Sequence, residues 1–235
     1  MTQTAFTDLA AKRRPFEGES AAYSEARQNL LAQEIALQSQ IDGVAKQRRD
    51  LPVGPVIEKD YRFNDMNGNE VGLADLFGIH DTLVTYFWMY GPSRARPCPM
   101  CTNLLGPLAA NARDLMQRVG LAVLGRSTVE RQLAFAQERG WHGLKFCQTR
   151  GDDYALDFGG LNTKDGLEYP VLAVFEKVGA GKDAEVRLFW KGEMTGEMAA
   201  KGKDPRGGPD FAPLWTALDL TRDGRGDNWY PKLEY

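Results

Sequence analysis

Cysteine is scarce in this 235-residue chain: there are three, Cys98, Cys101 and Cys147. Three thiols, so unevenly placed, exclude a disulfide scaffold and leave redox chemistry, metal binding or packing. Histidine is scarcer still, and neither His80 nor His142 stands at ligand spacing from the Cys98/Cys101 pair. Both read as surface or packing side chains, and no metal is expected at the pair. A concentrated basic face is also missing. The net charge is -3 with Lys and Arg scattered, which argues against a nucleic-acid partner. No apolar run is long enough to cross a bilayer, so no membrane partner is expected. Lys12-Arg13-Arg14 precedes Pro15-Phe16-Glu17 rather than an apolar stretch, so the chain lacks the look of a secretory signal, and a reducing, cytoplasmic setting is expected. Gly159-Gly160 and Arg206-Gly207-Gly208-Pro209 lack the strand-to-helix context of a phosphate loop, and no cofactor is called for.

What is present is a dithiol. Arg96-Pro97-Cys98-Pro99-Met100-Cys101 follows the apolar run Leu83 to Tyr90 and precedes a helix-like stretch. Two cysteines separated by two residues, where a strand feeds a helix, form a thioredoxin-like redox site. A sulfur at a helix start meets unpaired backbone N–H groups and the positive end of the helix dipole, so its anion is favoured. Cys98 is therefore the expected nucleophile. Proline is tolerated in a helix's first turn, which suits Pro99.

With 43% hydrophobic residues the chain can bury a real core. Residues 20–49 carry Leu30, Leu37, Ile41 and Val44 at spacings of seven, four and three, predicting an amphipathic helix. It reads as an arm packed on its own domain or as a contact between two copies, a possible homodimer. Leu51-Pro52 and Gly54-Pro55 end it, giving a helical arm over 1–50 and a second domain over 51–235. Beyond that boundary, strand-like and helical patterns alternate, the signature of an α/β layer. Asn67-Gly68-Asn69 is a hairpin turn signal between Phe63 and Val71. Leu83 to Tyr90 predicts a buried strand, and the helix after the dithiol carries a Gly106-Pro107 kink. Gly120 to Leu124 predicts a strand, Thr128 to Arg139 a helix capped by Thr128, and Leu144 to Cys147 a short strand. Residues 192–211 predict an exposed excursion before a terminal helix over 211–220, while Trp141, Trp190, Trp215 and Trp229 read as packing residues.

A second candidate element is Glu168-Tyr169-Pro170, opening the apolar run Val171 to Phe175, with a partner run from Val186 to Trp190. Proline is allowed as a strand's first residue. Beside a dithiol, the expectation is a cis Tyr169–Pro170 bond that turns backbone groups toward the sulfur and offers hydrogen bonds to an extended substrate. Tyr169 and Pro170, with Pro99, Met100 and Arg96, form the candidate substrate-binding rim, and Cys98 and Cys101 the catalytic pair.

The order strand, Cys-x-x-Cys, kinked helix, strand, helix, proline-led hairpin resembles the thioredoxin fold. More closely, the chain resembles a bacterial family of predicted dithiol-disulfide oxidoreductases filed as domain of unknown function 899. The likeness runs through Leu30-Leu31-Ala32, Arg48-Arg49, Asp60-Tyr61-Arg62-Phe63, Leu73-Ala74-Asp75-Leu76-Phe77, Arg139-Gly140-Trp141, and Leu218-Asp219-Leu220-Thr221 with Gly224-Arg225. It implies a thioredoxin-like core and disulfide chemistry, with a protein or small-molecule thiol or disulfide as partner. The buried acid of thioredoxins would fall near Tyr86, which is no carboxylate, and the tryptophan before the first cysteine is replaced by Ser93-Arg94-Ala95-Arg96-Pro97. Arg94 and Arg96 are candidates to stabilise a thiolate by charge. Three other readings compete. A peroxiredoxin-like peroxidase would carry threonine or serine three residues before its cysteine and proline four before that, where this chain has Ala95 and Gly91. Zinc could be held by Cys98, Cys101, Cys147 and His142. A non-catalytic interaction module would keep the fold with an inert dithiol. Cys147, inside a β run, reads as a buried structural thiol.

Overall fold

In the computed structural model, residues 3–179, 184–193, 201–202, 230 and 232–233 are described. The helix expected over 211–220, most of the excursion expected over 192–211, the Leu218–Thr221 and Gly224-Arg225 motifs, Trp215 and Trp229 lie outside them. The chain divides into two compact units, Met1–Pro52 and Val53–Tyr235.

The first unit is helical. Helix α1 (Gln3–Ala10) packs on α2 (Ala21–Arg49). Ser20 opens α2, its hydroxyl accepting from the Tyr23 N–H, a cap that satisfies one of the free first-turn donors. Arg13 pairs with Glu19 across the turn, and this guanidinium draws the Glu19 carboxyl down to about 2. Lys46, Arg48 and Arg49 sit in the last turn, where cations complement the helix dipole. Leu30, Leu37, Ile41 and Val44 are all exposed.

The second unit is one seven-stranded sheet. Strands β1 (Arg62–Asn64) and β2 (Glu70–Gly72) form the expected hairpin, its turn fixed by Asp65, whose carboxylate accepts from the N–H groups of Asn67 and Asn69. Gly68 takes φ +81°, open to glycine and strained for other residues. The remaining strands are β3 (Thr82–Phe87), β4 (Gly120–Gly125), β5 (Phe146–Thr149), β6 (Val171–Val178) and β7 (Glu185–Lys191). Helices α3 (Pro99–Leu115), α4 (Val129–Glu138) and the short α5 (Asp153–Asp157) connect them. The order is β2-β1-β5-β4-β3-β6-β7; β3, β4 and β5 run parallel through helical crossovers, and β6 and β7 are antiparallel beside β3. This is the mixed sheet of a thioredoxin-like fold, with the dithiol helix following the interior strand β3.

Strand periodicity explains why the sheet is covered twice. On β3, Leu83, Thr85 and Phe87 face one way and Tyr86 the other, joined by Trp88 just past the strand's end. The first set joins Phe63, Phe77, Tyr154, Phe158 and Phe175; the second joins Leu105, Leu121, Val123, Phe135 and Phe146. A strand apolar on both faces must be interior to its sheet, and β3 lies between β4 and β6. Close packing leaves no room at Gly160, where an added Cβ would sit 2.7 Å from the Phe87 ring.

Several strand ends differ from expectation, two of them for a visible reason. β3 stops at Phe87 rather than Tyr90, because the Met89 carbonyl accepts from Cys98 N–H and the Tyr90 carbonyl from Ser127 N–H, which takes both out of the ladder. β5 begins at Phe146 rather than Leu144, preceded by one bond from Val123 N–H to the Lys145 carbonyl. α3 runs unbroken through Gly106-Pro107, and Thr128 caps α4 by accepting from Arg131 N–H. The short α5 has no counterpart in the sequence reading.

Candidate functional site

The dithiol lies where β3 ends and α3 begins. Cys98 is the residue before the first helical turn, in extended conformation, with Pro99 opening the helix as its geometry favours. Its N–H donates to the Met89 carbonyl at 3.1 Å, and its own carbonyl accepts from Thr102 twice, through N–H and hydroxyl, each at 3.0 Å. The backbone around the sulfur is thereby pinned on both sides. All three cysteines are free thiols, Cys98 half-buried and Cys101 and Cys147 buried.

Position separates the two sulfurs chemically. Cys98 is lowered to about 6, first by the Cys101 S–H donating to it, then by the N–H groups of Cys101 and Met100 and by the charge of Arg94, against the opposing effect of burial. Neither N–H closes the full geometry of a side-chain cap. Cys101 is 1% exposed and pushed well above the ordinary thiol range by burial and by the neighbouring Cys98. The two thiols are thus displaced in opposite directions, Cys98 toward the thiolate and Cys101 toward the protonated form. Cys147, on β5, is pushed up to about 12 by burial and belongs to the core on the other face of the sheet from Cys101.

The loop between β3 and α3 is held by a set of charges of which the sequence reading had singled out Arg94 alone. Glu168, only 4% exposed, accepts from Gly91 N–H at 2.9 Å and meets Arg126 at 3.3 Å and Arg94 at 3.6 Å. Arg126 also grips Asp152, at 2.7 and 3.2 Å. An added Cβ at Gly91 would run into the Glu168 carboxylate. Arg131 donates to the Arg94 carbonyl at 2.6 Å and lies over the Tyr90 ring at 4.7 Å. Glu168 thus joins the entry of β6 to the dithiol loop. The one available signal was its place beside Tyr169-Pro170: a carboxylate before a buried strand needs cationic or N–H partners.

The expected rim residues are placed as follows. Tyr169 and Pro170 are exposed at the end of β6 beside which β3 finishes, since Val171 pairs with Phe87. Met100 and Pro99 are half-buried in the first turn of α3. Arg96 is exposed, directed to Glu138 on α4 through two bonds, with its guanidinium 4.9 Å from the Phe135 ring centre. The charge of Arg94 acts on the Cys98 sulfur. The cis expectation fails: the Tyr169–Pro170 bond is trans, and no cis bond occurs among the described residues. The segment enters β6 already extended, with Tyr169 N–H on the Gly160 carbonyl and Leu161 bridged to Glu168, so no reversal is needed at the proline.

The four-ligand zinc reading has no geometric support, since no three His, Cys, Asp or Glu side chains gather as a metal set among the described residues. His142 is exposed, and His80 Nε2 sits 2.9 Å from the Met116 carbonyl. No described helix is long and apolar enough to cross a membrane.

A family model described as "Bacterial protein of unknown function (DUF899)" matches residues 13–235. A search of curated proteins finds no match. Among solved structures the chain is similar to peroxidoxin BcpB of Mycobacterium tuberculosis, at 19% identity over 54% of this chain and 79% of that one, TM-score 0.40. It is similar to the exposed lipoprotein thioredoxin Etrx1 of Streptococcus pneumoniae, at 14% over 69% and 100%, TM-score 0.40. A third is the thiol peroxidase from Chromobacterium violaceum, at 12% over 72% and 87%, TM-score 0.43.

Proposed function

The chain belongs to the bacterial family DUF899, whose description leaves the activity open, and from that premise we propose that it is a thiol-disulfide oxidoreductase working through Cys98 and Cys101. One observation carries the reading: a half-buried Cys98 stands just before α3 with a buried Cys101 one helical turn further on, whose S–H draws the Cys98 thiol down to about 6. A core cysteine pair needs neither the depressed nucleophile nor the protonated partner.

The Cys98 thiolate attacks one sulfur of a substrate disulfide and releases the other as thiol, taking up one proton. Cys101 then attacks Cys98 in the mixed disulfide, closing the Cys98–Cys101 bridge and expelling the second substrate thiol. Two electrons pass from protein to substrate, and the reverse sequence oxidises a dithiol. The substrate lies along the rim of Tyr169, Pro170, Pro99, Met100 and Arg96, in a reducing compartment such as the cytoplasm. The exposed Leu30, Leu37 and Val44, seven residues apart on α2, support association of the arm with a second copy; light scattering tests it, with Leu37→Glu returning a dimer to monomer.

The same thiolate could attack a peroxide, giving sulfenic acid and then the same bridge with loss of water. Challenging the Cys101→Ser variant with oxidised glutathione and, separately, hydrogen peroxide separates the two. The oxidoreductase reading expects a glutathione adduct on Cys98 and, in the wild-type protein, repeated turnover with a dithiol reductant. Fast sulfenate formation without disulfide turnover would favour the peroxidase, and an unreactive Cys98 in both would leave the non-catalytic module.

A further inference from the structure

Tyr86 sits on β3, the strand that leads into the dithiol loop, in one buried cluster with the dithiol. It is 4% exposed, shares the buried cluster of Cys101, Trp88, Leu105 and Leu172, and its hydroxyl meets the Cys101 sulfur in a hydrogen-bonding contact. Strand register fixes it there: Tyr86 pairs with Val123 on one side and Leu172 on the other, and the strand's alternation turns it to the α3 face of the sheet. The redox reading gives Cys98 a role and leaves this buried phenol without one.

We infer that Tyr86 is a catalytic residue of the resolving half-reaction, its O–H donating to the Cys101 sulfur as that sulfur becomes a thiolate. This rests on the disulfide-exchange reading above. Cys101 must lose its proton to attack the mixed disulfide, and must leave as a thiolate when the bridge is reduced. Burial opposes the anion in both directions. The groups facing Cys101 are Cys98 from α3, Tyr86 from β3 and the backbone N–H of Met89. Once Cys98 is bonded to substrate its charge is gone, so the two remaining donors are the Tyr86 O–H and the Met89 N–H. Tyr86 is itself held protonated by burial, so it donates and never has to accept. The proton released by Cys101 goes to the departing substrate thiolate, and charge and atoms balance with Tyr86 unchanged.

The experiment uses the full chain and oxidised glutathione as probe, with rapid mixing, acid quench and mass detection. The first step, formation of the Cys98–glutathione adduct, is expected to stay within about twofold in Tyr86→Phe. The second step, loss of that adduct as the bridge closes, is expected to slow about 10- to 100-fold at pH 7, the usual worth of a hydrogen bond to a charged group. Its half-maximal pH moves upward. Site-specific 3-fluorotyrosine at position 86, a more acidic donor, moves that pH downward, a change that a packing role would not produce. A resolution rate and pH profile unchanged in Tyr86→Phe overturns the inference. Failure of the wild-type protein to form the adduct at all overturns the oxidoreductase reading, a separate and visible outcome.

Discussion

Titrating Cys98 in the reduced protein tests the electrostatics of the site directly. With its thiol at about 6 rather than the ordinary 9.0, Cys98 is ~90% ionised at pH 7 instead of ~1%. Lower basicity also makes a weaker nucleophile, by about 30-fold over three pH units at a Brønsted slope near 0.5, so the net gain at pH 7 is only about threefold. At pH 5.5 about a quarter of Cys98 is still thiolate against ~0.03% of an ordinary thiol, and the net advantage grows to roughly 25-fold. The signature is therefore a profile that levels off by about pH 7 and keeps reacting in mild acid. Iodoacetamide labelling between pH 4.5 and 10, resolved by peptide mass, reads it; Cys101 and Cys147, both buried, label slowly throughout. Because the Cys101 S–H is the largest cause of the shift, Cys101→Ala moves the Cys98 midpoint up most, Cys101→Ser less, and Arg94→Gln by a smaller amount than Cys101→Ala. A wild-type midpoint near 9, or no movement in Cys101→Ala, would refute this account of the site.

Glu168→Ala strips Gly91 N–H, Arg94 and Arg126 of their shared buried partner and is expected to destabilise by about 2–3 kcal/mol in urea, below the 3–5 of a fully buried pair because Arg94 is one-third exposed. Gly91→Ala, which drives a methyl group into that carboxylate, is expected to lower the melting temperature as well, whereas Ala95→Gly is not. A folded thiol lowered from 9.0 to about 6 stabilises the native state fully above the unfolded value and loses that contribution as pH falls through about 6. Reduced wild-type protein should thus gain stability over Cys98→Ser between pH 6 and 9, at about 0.5–1 kcal/mol per pH unit after discounting partial exposure, as read by urea midpoints. The raised Cys101 thiol works in the opposite sense only above about pH 9. Phe87→Ala, opening space against Gly160 and Tyr154, should cost about 3–5 kcal/mol by the same assay.

Elements written in local chemistry were readable in the sequence. Asn67-Gly68-Asn69 marks a turn by its tolerance of positive φ, Thr128 marks a helix start by its hydroxyl, and Cys98-Pro99 marks the dithiol helix because proline suits a first turn. Where tertiary partners decide, the sequence alone was silent or misleading. The carbonyls of Met89 and Tyr90 are taken by Cys98 and Ser127, so an apolar run that continues past Phe87 stops being a strand there. Tyr169–Pro170 stays trans because Gly160 and Leu161 already hold the chain extended. Glu168 reads in sequence as one more acidic residue; its meaning arises only when the sheet brings Gly91, Arg94 and Arg126 around it from segments 42 to 77 positions away. Tyr86 shows the same limit: the resemblance marked it only as standing where thioredoxins carry a buried acid, and the packing of α3 is what puts it in one cluster with Cys101.

The most direct test of the central claim is the reduction potential of the Cys98/Cys101 pair, found by equilibrating the protein in defined thiol–disulfide buffers and counting alkylated cysteines by mass. The account predicts a reversible two-electron couple, abolished in Cys98→Ser, falling between about -270 and -120 mV, with Cys147 remaining free throughout. Three free thiols at every poise, with no Cys98–Cys101 bridge, would contradict it.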